Sequence, residues 1–167
     1  MDRRIPHRRA RIALLGGAAM LGLAATGLLP QRRVPDIVGP AQVIDGDSLR
    51  VAGIEIRLFG IDAPEFRQTC LRAVHPLACG RAATRFLEWL TQGRELRCRA
   101  REEDRYGRTI AVCLAGEIDL GAAMVRAGQA VAYGAYQAEE REAREARRGI
   151  WATSFERPAT WRARHPH

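Results

Sequence analysis

Through the middle of the chain, hydrophobic and polar positions alternate in short runs and then settle into helical spacing. Runs 41–44 and 48–51 flank Asp45-Gly46-Asp47, an Asp-Gly turn of the kind that joins hairpin strands. Ile54, Ile56 and Leu58 alternate with Glu55, Arg57 and Phe59, the period of a half-buried strand. Over 81–92 the spacing becomes helical: Ala83, Phe86, Leu87 and Leu90 share one face, and Gly93 stops the helix. Runs 95–100 and 109–114 read as two strands joined by a polar turn. Asp119 caps a helix over 120–127 that Gly128 ends, and 130–133 is a short strand. A charged helix over 138–148, with Glu140 four residues ahead of Arg144, closes at Gly149. Five main strands and three helices in this order predict a mainly β, α+β domain. Its architecture is a Greek-key barrel, closed or partly open, with the helices packed outside.

Ahead of that pattern stands a different one. Residues 1–11 are basic and 12–29 carry no charge, with Pro30, Arg32 and Arg33 after them. This is the layout of an export signal, and 18 apolar residues also approach the length of a spanning helix. Residues 1–29 therefore read as an apolar leader helix, either a cleaved signal peptide or a retained N-terminal membrane anchor through 12–29. Residues 30–39, with Pro35 and Gly39, read as a linker, and 40–167 as the domain. Either leader puts the domain outside the cytoplasm, secreted or periplasmic. The four cysteines Cys70, Cys79, Cys98 and Cys113 agree, being an even set in the exported part. Three pairings are possible. Folding the hairpin of 95–100 on 109–114 brings Cys98 to Cys113 and leaves Cys70 and Cys79 to close a short loop. Zinc and free thiols are the competing readings, and no C-x-x-C occurs to favour zinc.

Charge and histidine content narrow the chemistry. The net charge is +8, all its positive part from arginine, and half of it lies in the leader. The remainder is mildly basic, which fits a polyanionic partner. Of four histidines only His75 could belong to a core site, which speaks against Ser-His-Asp or paired-His hydrolysis. Hydrolytic chemistry must come from carboxylates, arginine and a metal. Asp47 and Asp62 are hard oxygen ligands suited to Ca²⁺ or Mg²⁺. Arg57 and Arg108 can each grip phosphate oxygens with a guanidinium fork, and Glu65 is left to orient a water. Each of these, alone, has a plainer reading as a solvated turn or a surface arginine; the ordered set carries the information.

That set resembles the staphylococcal nuclease (thermonuclease) family. The matching residues are Val43-Ile44-Asp45-Gly46-Asp47-Ser48, Ile56-Arg57-Leu58, Ile61-Asp62-Ala63-Pro64-Glu65 and Asp104-Arg105-Tyr106-Gly107-Arg108. Met124-Val125-Arg126-Ala127-Gly128 through Ala132-Tyr133, and Gly149-Ile150-Trp151, complete it. The resemblance implies a five-stranded oligonucleotide-binding (OB-fold) barrel with three helices. It implies a Ca²⁺-dependent endonuclease that cleaves DNA and RNA and leaves 3′-phosphate ends. By position, Asp47, Asp62 and the main-chain carbonyl of Ala63 match the calcium ligands. Glu65 matches the residue that handles the water, and Arg57 and Arg108 the phosphate-binding pair. Asp45 matches a supporting carboxylate; Arg105, Tyr133 and Tyr136 match substrate contacts. Ala63 and Ser48 replace threonines of the type protein, and 66–79 is not its Lys-rich loop. Nucleic acid is the implied partner, with the chain acting as a monomer. The alternative from a different class is a non-catalytic OB-fold module that binds nucleic acid; such modules usually lack one of the charged site residues.

Overall fold

The computed structural model describes residues 35–166. The leader, 1–29, and the start of the expected linker lie outside the described residues. Strand β1, Ile37–Val43, begins inside the segment read as linker: Ile37, Val38, Gly39 and Pro40 pair with Cys98, Arg97, Leu96 and Glu95. Backbone pairing here overrides the Pro and Gly that read as breakers.

Strands β2, Ser48–Val51, and β3, Ile54–Leu58, continue the meander from β1. The short β4, Ile61–Asp62, follows. A small hairpin of β5, Cys70–Arg72, and β6, His75–Leu77, leads into helix α1, Cys79–Thr91. Strands β7, Glu95–Glu103, and β8, Thr109–Ala115, form the second hairpin, and β9, Ile118–Asp119, folds back on β8. Helix α2, Leu120–Arg126, β10, Val131–Ala132, and helix α3, Gln137–Glu145, come next. A 3-10 turn, Gly149–Ala152, and helix α4, Pro158–Arg164, end the described chain.

The order β3-β2-β1-β7-β8 is antiparallel throughout, and a parallel pairing of β3 with β8 closes it into a five-stranded barrel. Closure removes the free edges that an open sheet would expose. The barrel with its helices has the α+β architecture of an OB-fold. Alternation fills it: Leu49, Val51, Ile56, Leu58, Leu96, Cys98, Ala111, Cys113 and Ala115 point inward and are buried. Helix α1 lays Ala83, Leu87 and Leu90 on that core, and α2 adds Leu120, Met124 and Val125. The Asp119 side chain accepts from the Ala122 N–H at 3.0 Å, the expected N-cap.

Among the described residues four α-helices are present, rather than the three expected of the domain. Helix α4 buries only Pro158 among its residues, so it has no apolar stripe for periodicity to find. Its one signal is proline in the first turn.

Both cysteine pairs are disulfides and none of the four is free. Cys98 and Cys113 are direct register partners on β7 and β8. Cys70–Cys79 brackets the β5–β6 hairpin across nine residues of sequence. In the chain-entropy account each is worth about 3 kcal/mol against the unfolded chain. Two such bonds are consistent with an extracellular or periplasmic location. Among the described residues no helix is long and apolar enough to cross a membrane.

Candidate active site

The β1–β2 turn begins the site. Ile44 and Asp45 N–H groups both donate to the Ser48 carbonyl, and the Asp47 N–H donates to Asp45 Oδ1 at 3.0 Å. Asp45 thus shapes the turn that presents Asp47. Asp47 itself is 4% exposed. Its Oδ1 accepts from Ser48 Oγ at 3.2 Å and its Oδ2 from the Ala63 N–H at 2.9 Å. The second of these ties the turn to the end of β4.

Arg57 reaches Asp47 because β2–β3 register sets it opposite Ser48. Arg57 Nη1 donates to Asp47 Oδ1 at 2.7 Å and Nη2 donates to Asp62 Oδ1 at 3.0 Å. One guanidinium therefore bridges two nearly buried carboxylates. Asp62 is held in place by β4–β10 pairing with Val131. Burial pushes the Asp47 carboxyl up, to about 7, against the opposing pull of Arg57, and the nearby Asp45 and Asp62 charges add to the rise.

Glu65 follows Asp62 by three residues, and its main chain is locked by Gln68. The Glu65 N–H donates to Gln68 Oε1 at 3.2 Å, and the Gln68 N–H donates back to the Glu65 carbonyl at 2.7 Å. Gln68 is wholly buried, and its Nε2 donates to the Glu156 carbonyl at 2.7 Å. The Glu65 carboxylate accepts from Arg162 Nη1 at 2.8 Å. Arg162, on α4, also donates to Asp62 Oδ1 at 2.8 Å and Oδ2 at 3.2 Å. Burial works against its charge, but the bonds to Asp62 and Glu65 outweigh that and hold the guanidinium firmly protonated.

Asp47, Asp62, Glu65 and Arg57 therefore meet in one cluster, with Asp45 behind it. Arg108 stands apart. Its Nε and Nη2 both lie 2.8 Å from Asp104 Oδ2 at the tip of the β7–β8 hairpin. Asp104 also accepts from the N–H groups of Tyr106 and Arg108. Slight burial opposes its charge, but these bonds overcome it and lower the carboxyl below its usual range. β3–β8 register pairs Arg57 with Ile110. Arg108 is two residues earlier, about 7 Å along the strand direction. Arg105 and Arg108 both lie over the exposed ring of Tyr106, at 5.0 and 5.7 Å.

The two other aromatic candidates differ. Tyr133 is exposed, and its N–H donates to the Gly60 carbonyl beside β4. Tyr136 packs against the core and donates its hydroxyl to Asp119, at 3.0 Å to Oδ2. Burial, and then the Asp119 charge, raise its phenol above the ordinary range. Its hydroxyl serves the α2 cap.

The donor chemistry fits a hard, partly hydrated cation. Asp47 and Asp62 offer carboxylate oxygens, and the Ala63 main chain adjoins both through its bond to Asp47. Among the described residues no group of three or more His, Cys, Asp or Glu side chains is gathered to hold a metal, so a closed cage of the zinc type is not present. A buried carboxylate beside a second one suits an ion that keeps several waters.

A family model described as "Staphylococcal nuclease homologue" matches residues 55–153, more than half of the chain. The chain belongs to the staphylococcal nuclease family. That makes it a phosphodiester-hydrolysing nuclease. The matched stretch holds Arg57, Asp62, Glu65, Arg108 and Tyr133; Asp47 precedes it and Arg162 follows it. The "Micrococcal nuclease" of Shigella flexneri is 34% identical over 143 residues, 72% of this chain and 77% of that protein. The "Succinoglycan biosynthesis protein ExoI" of Rhizobium meliloti (strain 1021) is 34% identical over 137 residues, 77% of this chain and 70% of that protein. The "Probable staphylococcal-like nuclease CAN1" of Oryza sativa subsp. japonica is 31% identical over 124 residues, 70% of this chain but 35% of that protein.

No motif singled out Arg162. Nothing distinguishes it from the other arginines of the chain until the fold brings residues 97 and 100 positions apart together.

Proposed function

We propose that the chain is an exported endonuclease, acting as a monomer outside the cytoplasm, that hydrolyses DNA and RNA with one Ca²⁺ and leaves 3′-phosphate ends. The observation that carries the reading is the convergence of Asp47, Asp62, Glu65 and Arg57 through bonds of 3.2 Å or less.

Asp47, Asp62 and the Ala63 carbonyl would hold the cation. When bound, Ca²⁺ would supply positive charge to offset the negative charge that develops on the phosphate oxygens. Arg57 does the same from the protein side, its orientation set by the two aspartates it bridges. Arg108 joins it by leaving Asp104 for the substrate phosphate; the distance along β8 is within reach of its side chain. Glu65 accepts a proton from water as the water oxygen bonds to phosphorus. The P–O5′ bond breaks, the 5′ oxygen takes up a proton from solvent water, and the phosphate remains on the 3′ side. Tyr133, Tyr106 and Arg105 offer exposed ring and guanidinium faces for a base and its phosphate.

Digestion of plasmid and denatured DNA by the purified protein, with Ca²⁺ and with chelator, tests this. Cleavage with Ca²⁺ alone and 3′-phosphate products are expected. Binding without cleavage in both conditions would instead make the chain a non-catalytic binding module.

A further inference from the structure

The C-terminal helix reaches the site by a defined route. The Leu71 N–H donates to the Ser154 carbonyl and the Ser154 N–H to the Leu71 carbonyl, both at 2.8 Å. Gln68 holds the Glu156 carbonyl two residues later. The Cys70–Cys79 disulfide fixes the loop that makes these bonds. From Glu156 the chain turns into α4 and delivers Arg162 to Asp62 and Glu65.

Two features of that contact bear on the cation. Both oxygens of Asp62 are occupied by Arg162, and Oδ1 also accepts from Arg57. Oδ1 of Asp62 thus carries two bonds and Oδ2 one, so a seated Arg162 competes with a divalent ion for this carboxylate. The side chain of Arg162 is 38% exposed, whereas that of Arg57 is 21% exposed. Arg57 sits on a barrel strand, but α4 beyond Glu156 is anchored mainly by the single buried residue Pro158. Of the two guanidinium groups on Asp62, Arg162 is the one able to withdraw.

We propose that Arg162 is a positioning residue of the cation-free site: it neutralises Asp62 and orients Glu65, and it releases Asp62 when a divalent cation binds there. This rests on the reading of Asp47 and Asp62 as cation ligands. It deepens that reading by adding a competitor from outside the stretch that the family model matches. With Arg162 seated, the Asp47, Asp62, Glu65 and Arg57 group carries one more positive charge, which opposes an incoming cation. Displacing Arg162 forfeits its charge-assisted bonds to Asp62, which weakens the binding of the cation about tenfold.

Calorimetric titration of Ca²⁺ into the full chain tests the proposal, using the unmodified protein, Arg162→Gln and Arg162→Lys. Arg162→Gln is expected to bind Ca²⁺ about tenfold more tightly. Arg162→Lys keeps the charge and stays near the unmodified affinity. Equal or weaker binding by Arg162→Gln, or a lysine variant as tight as the glutamine one, overturns the proposal. Ca²⁺ binding by neither Arg162→Gln nor the unmodified chain contradicts the cation reading itself and takes this proposal with it. A second measurement needs no substitution. In the unmodified protein, the Arg162 side-chain N–H signals should shift in proportion to Ca²⁺ bound; signals unmoved at saturation overturn the release from Asp62.

Discussion

Gly80 stands in the first turn of α1, where the helix meets the backbone of the Glu65 loop. A β-carbon there would overlap the Glu65 carbonyl oxygen and lie 2.6 Å from its carbon and 2.9 Å from the Phe66 carbonyl carbon. All three are main-chain atoms, so no side chain can swing aside. The Glu65 carbonyl is already held by the Gln68 N–H, and the Gly80 N–H donates to the Gln68 carbonyl at 3.2 Å. Two effects of Gly80→Ala oppose each other. Alanine gains up to about 1 kcal/mol of helix propensity, less in a first turn. Overpacking costs about 1–3 kcal/mol, and a contact between backbones falls at the upper end. The clash wins, for a net loss of about 2 kcal/mol. Relief of the clash also displaces Glu65, and a shift of about 1 Å at a reacting group costs about 100-fold in rate. Urea unfolding measures the first quantity and Ca²⁺-dependent cleavage the second. An alanine variant as stable and as fast as the unmodified protein would refute the argument that this glycine sets the position of Glu65.

Arg57→Met leaves Asp47 and Asp62, each 4% exposed, without the guanidinium that bridges them. Denaturant unfolding of the cation-free protein should show a loss of about 3 kcal/mol, reduced where Asp47 can protonate; a loss below about 0.5 kcal/mol would contradict the buried bridge. At the β7–β8 tip, the carboxyl of Asp104 lies below its ordinary value of 3.8 in the folded chain. Its contribution to stability is therefore complete above that value and is lost as pH falls through the lower folded one. Hydrogen exchange at the Tyr106 and Arg108 amides should speed up below about pH 4 beyond the intrinsic pH dependence; exchange without that excess would contradict the Asp104 contacts.

The parts of the fold legible in the sequence are those whose pattern is local. Asp45-Gly46-Asp47 marked its turn because an Asp-Gly pair between apolar runs has few other uses, and β3 showed its period of two. Cys98 and Cys113 paired because hairpin register places them opposite each other. The candidates Asp47, Arg57, Asp62 and Glu65 were nameable because they fall in ordered motifs, and the fold brings their side chains together. What escaped depends on contacts distant in sequence. The strands β4 and β10 have two residues each, too few for a period, and exist by pairing with each other. β1 starts at Ile37 because β7 supplies its partner, despite Gly39 and Pro40. Arg108 differs, for its ion pair with Asp104 is local, four residues away in the same hairpin tip. The Tyr136 hydroxyl meets Asp119 across 17 residues of sequence, a contact no local pattern marks. Arg162 lies on a helix with no apolar stripe, so neither periodicity nor motif marked it.

The central claim is that the carboxylate of Glu65, held beside Asp62 and Arg57, drives phosphodiester cleavage at this cluster. Glu65→Gln keeps the side-chain shape and the main-chain bonds to Gln68 while removing the basic oxygen. The direct test is the single-turnover rate of Ca²⁺-dependent cleavage of a labelled oligonucleotide by this variant, checked for an unchanged melting temperature. The account predicts a fall of at least about 100-fold. A correctly folded variant cleaving within about threefold of the unmodified rate, against that 100-fold expectation, would contradict it.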